Sequence, residues 1–166
     1  MSLIVEDGTG KSDADSYDTV ANASVYHAAY GNTEWADAAE AAQEIAMRQA
    51  FRYQNVSYDW EAVKTTSTQS GAWPRTGATD ASGYLIAPDA IPNQVKQAQY
   101  ELALKALSES LLSDVSGEDK LSRVKVDVIE VEYSPATGSQ KRYAMADNLL
   151  RAFVLGNKNV VQLFIS

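Results

Sequence analysis

Cysteine is missing from this 166-residue chain, and histidine occurs once, at position 27. The first absence removes disulfides, thiolate metal sites and cysteine nucleophiles together; the second removes His-based zinc sets and paired-histidine proton relays. Stability has to come from packing. No apolar run approaches the roughly 18 residues of a membrane helix. Residues 1–7 lack a basic stretch followed by an apolar one, so the expectation is a cytosolic protein with no membrane contact. Cations are also scarce, 14 Lys and Arg against 22 Asp and Glu, for a formal net charge of -8. That average field repels phosphate backbones unless a local patch overrides it. The tightest cationic cluster, Lys120, Arg123 and Lys125, lies among Asp114, Glu118, Asp119 and Asp127.

Motifs that carry chemistry are equally thin. Gly8-Thr9-Gly10-Lys11-Ser12 imitates the end of a phosphate-binding loop, but Val5 stands where the earlier glycine is required, and Asp13 and Asp15 would repel phosphate. The same two aspartates begin a calcium-loop pattern that Tyr17 breaks at the third ligand position. His27, on a predicted helix, reads as a surface or edge residue. Ser57, Ser108 and Ser110 have no nucleophile-elbow context, and the carboxylates are scattered rather than paired. The expectation is a protein that is not an enzyme and needs no cofactor and no metal.

What is present is packing material. A hydrophobic content of 45% in a chain of this length suits one compact domain. The opening Leu3-Ile4-Val5 reads as a short strand or an anchored arm. Ser16 or Thr19 can cap a first helix over 20–30, with Val20, Ala23, Tyr26, Ala29 and Tyr30 along one side and Gly31-Asn32 as its stop. Helical spacing of Ala38, Ala42, Ile45, Ala46, Ala50 and Tyr53 predicts a second helix over 36–55. A third, over 92–112, is apolar around most of its girth, which places it centrally in the domain or between subunits. Glu101 and Lys105 are spaced for an i,i+4 pair. A fourth runs over 143–155, with Met145, Leu149, Ala152 and Phe153 inward and Gly156 at its end.

Between Arg123 and Tyr133 the apolar period becomes two. Val124, Val126 and Val128 share one parity, and Ile129, Val131 and Tyr133 the other, so a hairpin or bulge near Asp127-Val128 must reset the phase. Residues 160–165, which include Val160, Val161, Leu163, Phe164 and Ile165, are apolar beyond what a terminus usually tolerates. They either pack on their own domain or dock on a partner. The 56–90 stretch is rich in Ser, Thr, Gly and Pro but carries Trp60, Trp73, Tyr84, Leu85 and Ile86, enough apolar side chain to pin it in order. Within it, Gly71-Ala72-Trp73-Pro74-Arg75-Thr76-Gly77 combines a large anchor with a proline that biases Trp73 toward extended backbone. Pro92 suits a helical first turn.

In order along the chain stand the segment Leu3-Ile4-Val5-Glu6-Asp7-Gly8-Thr9-Gly10, Asp15-Ser16-Tyr17, an Ala-rich helix and Trp73-Pro74-Arg75. Ile91-Pro92 and Ile129-Glu130-Val131-Glu132-Tyr133 follow. This series resembles the head-to-tail connectors of tailed bacteriophages, also called adaptors or head-completion proteins, some of which carry a DnaT-like single-stranded DNA-binding label. The resemblance implies a structural virion protein, assembled in the host cytoplasm. It would form a ring, dodecameric in the virion, between the portal and the next neck or tail component, with duplex DNA passing through unbound. It also implies that the hairpin near 122–134, including Val124, Val126, Ile129, Val131 and Tyr133, meets a ring neighbour or tail partner, and that the tail docks on the portal. The alternative function is a single-stranded DNA-binding replication accessory. The expected fold is mainly α: about four helices, a β-hairpin insertion and a long ordered loop organised by Trp73, Pro74, Arg75 and Pro92. One domain would cover 1–156, with a docking tail over 157–166.

Overall fold

Thr19 opens the first helix: its hydroxyl accepts from the Asn22 amide at 3.1 Å, and α1 runs Val20–Ala29. Gly31, at φ +71°, turns the chain out of it. Ala23 and His27 face inward, whereas Ala29 and Tyr30, expected on that side, are exposed. The computed structural model, which describes residues 2–112 and 142–157, then departs from the single helix expected over 36–55. A short α2, Thr33–Asp37, is separated from α3, Glu40–Ser57, by Ala38 and Ala39 in extended conformation. Trp35 accounts for the break. It is buried, its indole N–H donates to Ser24 Oγ at 3.0 Å, and its carbonyl accepts from Gln43 Nε2 at 2.7 Å. Restarting at Glu40 puts Gln43, Met47, Phe51 and Gln54 in the core beside Ala46, Ala50 and Tyr53, and leaves Ala42 and Ile45 outside.

The third long helix, α4, spans Asn93–Ala106 with Pro92 as its N-cap, and the chain turns from Leu107 on rather than staying helical to 112. It is the central element, packed on α1, α3 and α5. Two buried glutamines fasten it to α3. Gln99 Nε2 donates to the Met47 carbonyl at 3.0 Å and to Ser16 Oγ at 2.9 Å, and its Oε1 accepts from the Tyr17 amide. Gln54 Nε2 donates to the Val95 carbonyl at 3.0 Å. The expected Glu101–Lys105 pairing gives way to a bond across helices, in which the Tyr26 hydroxyl donates to Glu101 at 2.8 Å.

The helix expected over 143–155 is shorter: α5 covers Ala144–Leu150, and Val154–Asn157 is a strand, β4. Phe153, 3% exposed, packs edge-on against Trp73 and draws the following residues to β1, Tyr58–Trp60, with which β4 pairs antiparallel. Gly156 therefore lies opposite Asp59 in a ladder and not at a helix end. Met145, expected inward, is 58% exposed. A second antiparallel pair joins β2, Val63–Lys64, to β3, Arg75–Thr76. The architecture is mainly α, with two small two-stranded sheets among the described residues. The hairpin expected near 122–134 and the segment at 160–165 lie outside those residues.

Candidate functional site

The Trp73-Pro74-Arg75 turn is built inward. Trp73 is fully buried, its ring edge-to-face with Trp60 at 6.1 Å and Phe153 at 5.6 Å, and the Trp73–Pro74 peptide is cis. The Arg75 guanidinium meets carbonyls: it donates to those of Ala72 at 2.9 Å and Ala62 at 2.6 Å, and also to those of Glu61 and Trp60. Burial lowers its pKa, with the nearby Tyr17 opposing. Five donors in a fixed fork make arginine the side chain that can tie four loop carbonyls at once. Gln69 adds two further bonds, to the Gly71 carbonyl at 3.1 Å and the Pro74 carbonyl at 2.9 Å. The buried Tyr17 hydroxyl accepts from the Ala72 amide at 2.8 Å and donates to Asn55 at 2.6 Å; burial raises its pKa. Gln69 and Gln99 carry no motif, so nothing in the sequence distinguished them from exposed polar residues.

The glycine loop that imitated a phosphate site is already filled, by the chain's own carboxylate. Glu6, 2% exposed, accepts from the Gly8 and Gly10 amides at 2.9 and 2.8 Å and from the Lys11 amide at 2.7 Å. The amides that would cradle an anion thus hold Glu6. Asp15 is likewise spent, on the Ile4 amide and on Arg48 Nε at 2.7 and 2.6 Å. Among the described residues no group of His, Asp and Glu could hold a metal ion.

His27 corrects the sequence reading, being fully buried against Trp35 at 4.7 Å. Its Nε2 lies 3.2 Å from the Tyr100 carbonyl, which only accepts, so the proton resides there and Nδ1 accepts from Asn32 at 3.0 Å. Burial lowers its pKa, with Glu101 and the Tyr100 carbonyl opposing.

Several cations on the described surface are also committed. Lys11 pairs with Asp7 at 2.9 Å, Arg48 with Asp15, Lys96 with Asp18 at 3.5 Å and Arg142 with Asp147 at 3.5 Å. Lys120, Arg123 and Lys125 lie outside the described residues. So do Val124, Val126, Ile129, Val131, Tyr133, Val160, Val161, Leu163, Phe164 and Ile165.

The sequence profile of the family described as "Putative DnaT-like ssDNA binding protein" matches residues 1–166. The chain belongs to this family. No curated protein and no solved structure matches it.

Among the described residues of this DnaT-like family member, several large apolar side chains stand on the surface. Residues 78–86 form a tongue: the Ile86 amide donates to the Ala78 carbonyl, the Asp80 amide to the Tyr84 carbonyl, and Thr79 bridges Leu85. Asp80 Oδ1 accepts from the Ser82 and Tyr84 amides at 2.8 and 2.9 Å, and Gly83, at φ +85°, completes the turn. Tyr84 and Leu85, expected to pin this loop, are each 74% exposed. Near the tongue's base the Asp89 carbonyl rests on Gly8, where a Cβ would sit 1.9 Å away. A cavity of about 290 Å³ opens between the end of α4 and the start of α5, lined by Glu101, Lys105, Glu109, Arg142, Tyr143 and Met145 among others. Burial and the charge of Glu109 raise the Tyr143 pKa to about 12.

Proposed function

We propose that this chain is a structural adaptor of a tailed virion, a subunit that forms a ring between portal and tail and lets DNA pass. The observation that carries the reading is the set of large apolar side chains exposed on an acidic chain. Val25, Tyr30, Tyr84, Leu85 and Leu155 stand in solvent on a chain of net charge -8. Exposed apolar side chains in number are the material of protein contacts, and an acidic subunit discourages passing DNA from sticking. The 122–134 segment is assigned to a ring neighbour or tail partner and the 160–165 segment to the portal.

The test is mass measurement of the purified chain alone and after mixing with portal rings. A stable complex is expected, and replacing Leu163, Phe164 and Ile165 by serine should abolish it while leaving the fold intact. No complex with either chain would end the adaptor reading. The second reading, single-stranded DNA binding, is favoured by the family's description. It requires that a labelled oligothymidine bind at low salt and be released steeply as salt rises, whereas the adaptor reading expects little binding at any salt.

A further inference from the structure

The 18-residue α3 leaves one face uncovered, and that face is regular. Ala42, Ile45, Gln49, Arg52 and Val56 follow one another at alternating spacings of three and four residues and fall within about 80° of arc. All five are exposed, Ile45 at 54% and Val56 at 49%. Such spacing, with aliphatic residues on it, is the seam of a two-helix coiled coil, where side chains of one helix enter the gaps of another. The inward face of α3 is filled separately, by Gln43, Met47, Ala50 and Gln54 among others, so the outward seam plays no part in the domain's own core. The helix is also formed in advance, held by that inner face, and pairing along about four turns requires no helix to fold at the same time.

Charge along the same helix decides what can lie on that seam. Between Lys11 and Arg48 the chain has no lysine or arginine. Glu34 and Asp37 in α2 and Glu40 at the start of α3 are exposed and make no ion pair among the described residues. Toward the other end, Arg48 is held by Asp15 and Glu44, but Arg52 is exposed and has no ion pair among those residues. Glu40 and Arg52 are thus about 18 Å apart along one helix. A second α3 laid parallel would stack Arg52 on Arg52 and Glu40 on Glu40. Laid antiparallel, it brings each Arg52 to the acidic start of the other helix, and both contacts form at once. The layers match as well: Ile45 of each copy meets Gln49 of the other, Arg52 rests its aliphatic stem on Ala42, and Val56 reaches the break at Ala38 and Ala39. The pattern is complementary to itself, which is what a two-fold contact requires.

We propose that two copies of this chain pair through antiparallel α3 helices, with the two-fold axis level with Met47. The contact closes on itself, so it belongs to the free chain and goes beyond the adaptor reading, which concerns a ring. Light scattering on the full-length chain over a concentration series should show monomer passing to dimer. Ile45→Glu should leave monomer at every concentration, with an unchanged circular dichroism spectrum. Arg52→Glu should weaken the dimer several-fold, and adding Glu40→Lys to that chain should restore it, a rescue that a merely apolar patch would not give. Direction is read by thiols, since the chain has no cysteine of its own. Equal amounts of full-length Ala42→Cys and Val56→Cys chains, treated with a short bismaleimide, should give mainly the mixed dimer. Val56→Cys homodimer in excess would mean parallel pairing and overturn the arrangement. So would a chain that stays monomeric throughout, or a dimer that Ile45→Glu leaves intact. Portal association without the pair discards the pairing and keeps the adaptor reading; the pair without portal association does the reverse.

Discussion

Two halves of one long connection, 61–76 and 77–90, are ordered by different means. In the first half, order comes from burial: Trp73 is enclosed by Trp60 and Phe153, and Arg75 closes the backbone around itself. In the second, the tip is ordered by local hydrogen bonds around Asp80, and Tyr84 and Leu85 stay in water while Ile86 packs against the core. An ordered loop need not be a buried one. The first kind supports the fold, and the second is free to present a surface.

Removing the anchor should separate the two halves most sharply. Trp73→Ala is expected to cost about 3–5 kcal/mol in urea unfolding, since it empties a fully buried site. Arg75→Leu leaves four carbonyls without their donor and should cost about 2–4 kcal/mol, with new proteolytic cleavage within 60–76 as a second readout. Acid gives a control that touches neither half. Burial holds the His27 pKa below its ordinary 6.5, so as pH falls past about 6.5 the unfolded chain takes up a proton that the folded one refuses. Stability should decline from there down to the folded-state pKa, and His27→Gln should flatten that part of a pH series of thermal melts. Asp80→Ala should cost only about 0.5–1.5 kcal/mol, seen as faster hydrogen exchange at the Ser82 and Tyr84 amides while exchange at Trp73 is unchanged. The smallest effect is expected for Tyr84→Ser with Leu85→Ser, within about 0.5 kcal/mol, because neither side chain is buried. A loss comparable to that of Trp73→Ala would erase the distinction between the halves.

Some of this was legible in the residues. Gly31 as a stop and the inward Trp73 follow from local chemistry, while the structure chose Thr19 over Ser16 as the cap and placed the third helix centrally in the domain. The break at Ala38 and Ala39 was hidden, because an alanine-rich stretch has no local reason to stop being helical; the stop comes from Trp35 and Gln43. His27 read as exposed because a lone histidine carries no sign of what surrounds it, and three aromatic rings do. Val154 was assigned to a longer helix because periodicity cannot see that β1 waits as a pairing partner; Met145 is helical as expected but faces outward. At the candidate surface, sequence marked Tyr84 and Leu85 as apolar and erred on their direction.

The sequence alone determined the absence of thiols, the acidic balance and the segments that become α1, α3 and α4. These depend on side-chain type and short-range spacing, which each residue carries with it. Tertiary structure decided which polar groups are spent, with Glu6 filling its own glycine loop and Arg75 caged by carbonyls, and which apolar groups are left over. Those outcomes depend on how the backbone folds back on a side chain, since Glu6 meets amides 2 to 5 residues on and Arg75 meets carbonyls 3 to 15 residues back, and no residue carries that path in its own identity.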